Sequence, residues 1–181
     1  QSDLDPGVIA RALDIFRHLA KAEADVHGVG DVDAVVFHEV GAMDSIADIV
    51  TAAILIDRAR VSSWSIGPVP IGAGTVMTAH GALPVPTPAT QRLLAGFAVV
   101  DDGRPGERTT PTGAAILRHL ARASNAEALS SIKPRGLLGR SGIGWGTKRF
   151  PGMPNVLRVV EIDVVTDAPA PANIATSISA P

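Results

Sequence analysis

At 181 residues and 18.6 kDa, with a formal net charge of −2, the chain has the length of one domain with at most an appendage. Apolar residues make up 46% of it, which excludes wholesale disorder, and only six aromatics are present (four Phe, two Trp), so a core must be built from aliphatic side chains and alanine. There is no cysteine, which removes disulfides, thiolate metal sites, iron–sulfur clusters and a thiol nucleophile; a metal here must be held by imidazole, carboxylate or backbone oxygen.

In chain order, residues 6–26 predict an amphipathic helix. Pro6 suits the first turn, Ile9, Ala12, Leu13, Phe16, Leu19 and Ala20 form the expected apolar face, and Gly28 and Gly30 end it. Val35 to Val40 reads as a short strand leading to Gly41. Residues 45–60 read as a second helix with Ile46, Ile49, Val50, Ala53 and Ile54 inward, and Val61 to Val69 as a loose strand. The stretch from Gly67 to Pro88 is too dense in glycine and proline for a regular helix, and is expected to be a long functional loop or an irregular strand pair. A short helix at 88–95, a strand near 97–100, a polar loop at 101–110 and a third good helix at 112–123 follow. The segment 132–147 is glycine-rich, and Asn155 to Val165 is strand-like. Alternating helices and strands predict an α/β or α+β class: a mixed sheet with three to four helices and a long Gly/Pro-rich loop, over a domain of residues 1–165. The Ala, Pro, Ser and Thr of residues 166–181 predict a disordered tail or linker.

The arginines outnumber the lysines 13 to 3 but are scattered, so no nucleic-acid footprint is visible. The longest apolar run, Ile49 to Ile56, is far short of the roughly 20 residues a membrane span needs, and no signal peptide is seen, so the cytoplasm is the expected compartment.

Four segments could carry chemistry. The densest is His38-Glu39-Val40-Gly41-Ala42-Met43-Asp44-Ser45-Ile46-Ala47-Asp48, one imidazole and three carboxylates at a strand–turn–helix junction. Asp44 and Asp48 are four apart and share a helix face, and with His38 and Glu39 they could hold a divalent cation through nitrogen and oxygen. A straight strand would instead send His38 and Glu39 to opposite faces. The competing explanation is helix capping, since Ser45 and Asp48 have capping-box spacing. The second segment is Gly72-Ala73-Gly74-Thr75 with His80, whose imidazole would be a metal ligand, a proton carrier or a loop residue bonded to backbone. In the third, Thr109 to Gly113, either Thr112, or Thr110 with Pro111 in the first turn, would cap the following helix, whose free amides also attract anions. The fourth, Gly142-Ile143-Gly144-Trp145-Gly146, lacks the dinucleotide-binding spacing, and no phosphate-binding loop sequence occurs elsewhere. His18, His27 and His119 read as surface or helix-end residues.

Five blocks, in order, give the chain a family resemblance. IFRHLAKAEADVHG (Ile15 to Gly28), FHEVGAMDSIADIV (Phe37 to Val50), PVPIGAGTVMTAHGALPVPTPAT (Pro68 to Thr90), TPTGAAIL (Thr110 to Leu117) and GIGWGTKRFPGMPNVLR (Gly142 to Arg158) resemble the LarC family of nickel insertion proteins, which serve nickel-pincer cofactor biosynthesis. The resemblance implies a cytoplasmic bacterial cyclometallase of the lyase class. Such an enzyme inserts Ni(II) into a pyridinium-3,5-bisthiocarboxylic acid mononucleotide, using CTP with Mn(II) or Mg(II), and releases CMP and pyrophosphate. It makes His38, Glu39, Asp44 and Asp48 the metal candidates, with His38, Glu39 and Asp44 also catalytic. Gly72, Gly74, Thr75, His80, Thr112 and Gly113 become contacts to the nucleotide substrate. Expected partners are that mononucleotide, a C-terminal nucleotide-binding domain and further copies of the chain, with neither nucleic acid nor membrane among them. Three departures accompany it. Val36 stands where the family signature opens with a first histidine. Arg149 stands where an acidic residue is usual. The family's N-terminal Ser-Gly-Asp-Met and His-rich segments and its C-terminal domain are absent, so the chain reads as the middle of a longer protein. The alternative is a non-catalytic nickel-binding or delivery module that needs those missing regions.

Overall fold

The computed structural model describes residues 3–35, 42–78, 81–123 and 136–165. Contacts divide the chain into two compact units, Gln1–Ile132 and Lys133–Pro181, a boundary that the sequence pattern does not mark.

The first unit is organised by α1 (Pro6–His27). Asp5 caps it, accepting from the Gly7 amide at 2.9 Å, and Pro6 occupies the first turn, where no amide hydrogen is needed. Gly28, left-handed at φ +67°, closes it while the Val29 amide bonds back to the Ala24 carbonyl at 3.0 Å. The helix packs against α2 (Ala42–Ala59), α3 (Pro88–Leu93) and α4 (Pro111–Ala123). Its buried positions are Val8, Ala12, Ile15, Leu19, Ala22 and Ala24. The apolar face is thus rotated from the one its spacing predicts: Leu13 is 48% exposed and Ile15 fully buried. Periodicity finds a stripe, but three surrounding helices decide which edge of it closes.

α2 starts three residues earlier than predicted, and Ser45, Ile49 and Ala53 form its buried line while Ile46 is exposed. A single Val61–Val69 strand does not form. Arg60 takes a left-handed turn (φ +49°) after α2, residues 61–68 are irregular, and pairing begins only at β1 (Val69–Pro70). Ser62, Ser63, Gly67 and Pro68 give that stretch little to pair or bury.

The Gly/Pro-rich stretch is the irregular strand set. It contains β1, β2 (Gly72–Ala73) and the hairpin of β3 (Thr75–Thr78) with β4 (Gly81–Pro84). β1 pairs in parallel with β5 (Val99–Val100), and β2 pairs antiparallel with β6 (Gly106–Glu107), inside the predicted polar loop. That loop is ordered by its own acids: Asp101 and Asp102 accept from the Gly103 and Arg104 amides, and Asp102 takes the Arg108 guanidinium at 2.9 Å. The class is therefore mixed α/β, with four helices longer than a single turn among the described residues. Among the described residues the strands pair as four two-stranded ladders of mixed sense. Arg118 of α4 ties down the end of α3, donating to the Leu93 carbonyl at 2.8 Å and stacking 4.7 Å from the Phe97 ring centroid.

In the second unit β7 (Gly136–Trp145) pairs antiparallel with β8 (Val156–Val164). The sequence marks 132–147 only as glycine-rich, because glycine hides the period-two alternation; paired to β8, it is a ten-residue strand. A bulge sets Gly139 and Arg140 opposite Glu161, where Arg140 and Glu161 pair at 2.8 Å in solvent. The tail at 166–181 lies outside the described residues, as does all of the predicted Val35–Val40 strand beyond Val35.

Candidate functional site

Two of the singled-out segments meet at the start of α4. Thr110 caps that helix, receiving the Gly113 amide at 3.3 Å, with Pro111 in the first turn. This frees Thr112 from capping, and its hydroxyl lies 3.5 Å from Ser45 Oγ in the first turn of α2. Ser45 is not a cap either: α2 already runs from Ala42, so Ser45 sits inside the helix, buried, facing α4. The capping-box explanation of Ser45 and Asp48 therefore fails, because the helix starts before it.

The glycine block lies against β6. Gly72 pairs with Glu107, and Thr109 Oγ1 donates to the Pro70 carbonyl at 2.7 Å. Glu107 is anchored in turn. Its Oε1 lies 2.9 Å from Thr87 Oγ1 and 3.2 Å from Thr90 Oγ1, and the two hydroxyls are 3.0 Å apart. Each hydroxyl has one proton, so with both given to the carboxylate the Thr87 and Thr90 oxygens are neighbours with no hydrogen between them. Thr90 is fully buried, and no spacing rule pointed to this network.

The candidate residues fall as follows. Asp44 and Asp48 lie on the exposed side of α2, one turn apart. Gly72 is buried in β2; Gly74 and Thr75 are exposed at the β2–β3 junction; Thr112 and Gly113 are half-buried in the first turn of α4. His38, Glu39 and His80 lie outside the described residues, as does Val36. Among the described residues no group of three His, Cys, Asp or Glu side chains could hold a metal ion. A four-ligand set would therefore need the His38-Glu39 segment beside Asp44 and Asp48.

One titratable cluster was misread as surface. His119 is buried, its Nδ1 2.6 Å from Asp14 Oδ2, which binds α4 to α1. His18 Nε2 is 3.3 Å from the same oxygen but off line for a hydrogen bond, and Nε2 of both histidines is buried without a hydrogen-bond partner. The i, i+4 spacing of Asp14 and His18 was the available signal; the approach of His119 was not. Burial pushes the His18 imidazole below its ordinary range. The Asp14 charge opposes that shift, while Arg122, His119 and Arg118 add to it. Partial burial pushes the Asp14 carboxyl up, but the His119 hydrogen bond and the neighbouring positive charges outweigh it and hold it below the usual carboxylate range. Both shifts favour the folded state at higher pH. The unfolded chain binds a proton at His18 first, below about pH 6.5, and at Asp14 only below about pH 4. The melting temperature is therefore expected to fall between pH 7.5 and 5, and to fall less steeply in His18→Gln. Thermal melts followed by circular dichroism check this, and equal slopes would clear His18 of the effect.

Comparison with known proteins places the chain in a family. A model of the family described as "Nickel insertion protein" matches residues 1–178, and the chain belongs to that family. A nickel insertion protein of Pelobacter propionicus is 52% identical over 157 residues, 87% of this chain and 38% of that protein. One of Geobacter sulfurreducens is 49% identical over 164 residues, 91% of this chain and 40% of that protein. A Geobacillus kaustophilus relative, named pyridinium-3,5-bisthiocarboxylic acid mononucleotide nickel insertion protein, is 44% identical over 160 residues, 88% of this chain and 37% of that protein. The chain spans about two fifths of the length of these curated relatives. No solved structure matches it. No helix among the described residues is long and apolar enough to cross a membrane.

Proposed function

We propose that this chain is the part of a nickel insertion protein that brings Ni(II) to a pyridinium-3,5-bisthiocarboxylic acid mononucleotide for formation of the nickel-pincer cofactor. The observation that carries the reading is the family match over residues 1–178, joined to the relative whose name states that substrate. Nickel is cargo in this scheme, and a cargo site must release its ion. His38, Glu39, Asp44 and Asp48 offer imidazole and carboxylate, donors that hold nickel less firmly than thiolates, and the sulfur that finally binds it belongs to the substrate. A carboxylate or imidazole of this set would take the ring proton that nickel displaces. Gly74, Thr75, His80, Thr112 and Gly113 would face the nucleotide, while Gly72, buried against β6, serves the fold.

The family resemblance implies CTP with Mn(II) or Mg(II) for the complete insertion reaction. That the chain spans only two fifths of its relatives favours a second reading, a delivery module that is inactive alone.

Calorimetry with Ni(II) tests the metal site. Changing both His38 and Asp44 to Ala is expected to weaken binding at least tenfold, about 1.4 kcal/mol; unaltered binding removes both residues from the site. Incubation with CTP, Mn(II), Ni(II) and the thiolated substrate separates the two readings: CMP formed by a full-length relative but not by this chain selects the module.

A further inference from the structure

The glycine segment Gly142 to Gly146 has no place in the function above, yet it leads through Trp145, which is 75% exposed, into a short folded connection between β7 and β8. We propose that this end of the β7–β8 ribbon binds a nucleoside triphosphate, with the base stacked on Trp145 and the phosphates met by Lys148, Arg149 and Arg158 without a metal ion. The proposal goes beyond the function above and uses none of its residues, so either can fail alone.

Register puts the parts on one face. Trp145 stands opposite Val156, and Ile143 opposite Arg158. Opposed residues of an antiparallel pair share a face, as do residues two apart along a strand. Trp145 and Arg158 are thus diagonal neighbours, about 7–8 Å apart at the backbone and within reach of a long side chain. The connection beyond Trp145 is held by its own bonds. The Gly146 amide donates to the Asn155 carbonyl at 2.8 Å, and the Asn155 side-chain amide donates to the Lys148 carbonyl at 3.0 Å. Gly146 permits this crossing, since a Cβ there would stand 2.3 Å from Asn155 Nδ2. Phe150 and Met153 bridge the far side, and the Lys148 ammonium lies 5.2 Å from the Phe150 ring centroid. The backbone that carries Lys148 and Arg149 is therefore tied to Asn155, the residue beside Val156, at the end of the ribbon that carries Trp145.

The charge selects an anion. From Ser141 to Val160 the sequence has three cations, Lys148, Arg149 and Arg158, and no aspartate or glutamate, in a chain whose net charge is −2. All three are exposed, and among the described residues none is paired with a carboxylate; Arg140, the next cation along β7, is paired, with Glu161 at 2.8 Å. An unneutralised guanidinium presents a fork of donors that fits phosphate oxygens. An exposed indole beside such groups supplies the other half of a nucleotide surface, because every base has a π-face to lay on it. Three positive charges match a triphosphate better than a single phosphate. Magnesium is held by oxygen ligands, and this stretch offers no carboxylate, so the protein's cations take the metal's place in neutralising the phosphates. Stacking without hydrogen bonds to base edges discriminates little between bases.

The 181-residue chain is titrated at low salt in EDTA with ATP and with CTP, followed by calorimetry and tryptophan fluorescence. The two nucleotides are expected to bind within about threefold of each other, and AMP and inorganic tripolyphosphate each about tenfold more weakly, the first lacking phosphates and the second a ring. The stacked base is expected to quench Trp145, so quenching survives Trp64→Phe and is lost in Trp145→Leu, which also weakens ATP about tenfold. Arg149→Gln and Arg158→Gln are each expected to weaken ATP about fivefold, and Arg140→Gln less than about twofold. Circular dichroism melts confirm that each variant folds, and Trp145→Phe, which keeps a stacking face, is expected to retain most of the affinity. Absence of ATP binding, affinity unmoved by the Arg149→Gln, Arg158→Gln double variant, or an unquenched Trp145 at saturating ATP would overturn the assignment. Binding that requires added Mg(II), or CTP preferred over ATP by more than about tenfold, would overturn it as well, since neither follows from free cations and a bare indole. A single-stranded oligonucleotide that binds about tenfold more tightly than ATP would reassign the surface to nucleic acid.

Discussion

Truncating Leu19 to alanine is expected to destabilise the first unit by about 2–5 kcal/mol, the range for a leucine removed from a site that cannot collapse around the gap. Leu19 is fully buried in the middle of α1, in a cluster that also contains Ile15, Ile49, Ala53, Leu93 and Ala115 and so draws on α1, α2, α3 and α4. Domains of this size are stable by only about 5–15 kcal/mol, so the loss would be a large fraction of the total. Leu13→Ala is the control. By spacing it belongs to the same face, but it is half exposed, and its loss should be within about 0.5 kcal/mol. Urea denaturation of the two variants decides between the faces: equal costs would mean that α1 sits in the rotation its periodicity predicts and not in the one described.

The second large effect is expected at Gly72. A Cβ there would stand 2.1 Å from the Gly106 carbonyl oxygen and 2.8 Å from Arg108 Cγ, and the backbone is already at φ +81°. Gly72→Ala must therefore part β2 from β6 as well as bear a left-handed backbone, a combined cost of about 2–4 kcal/mol. Gly74 has a similar φ, +82°, but open space around its Cβ position, so Gly74→Ala should cost only about 1 kcal/mol. The pair separates two explanations of the glycine block. If Gly72 is required by the fold, its alanine variant melts early. If Gly74 is required so that a backbone can approach the nucleotide, its variant keeps most of its stability and loses substrate affinity. Thermal melts with parallel calorimetry read both, and a Gly72→Ala protein as stable as the parent would refute the close approach to Gly106.

These two cases show where sequence patterns carry weight. The α1 boundaries were legible to within a residue because capping is local: Asp5, Pro6 and Gly28 act on backbone groups a few residues away. The short helix at Pro88 and the helix before Ala123 were legible for the same reason. The Val61–Val69 strand failed because a strand needs a partner, and only Val69–Pro70 finds one, in β5, 30 residues on. β7 was missed for the reverse reason: its glycines erase the alternation, but β8 supplies the ladder. At the site, the residue types were visible and their company was not. Nothing in the spacing places Ser45 beside Thr112, 67 positions away, or His119 on Asp14, 105 positions away.

By itself the sequence determined what chemistry is available: no thiol, hence imidazole and carboxylate for a metal, and a set of glycine- and threonine-rich blocks whose order matches one family. It also determined where α1, α3 and α4 begin, because caps and turn residues act over short distances. Only the tertiary structure decided which face of α1 is core, which threonine caps α4 and which is left to meet Ser45. Those outcomes depend on side chains far apart in sequence excluding water together, and no local pattern encodes which of several apolar or polar neighbours will arrive.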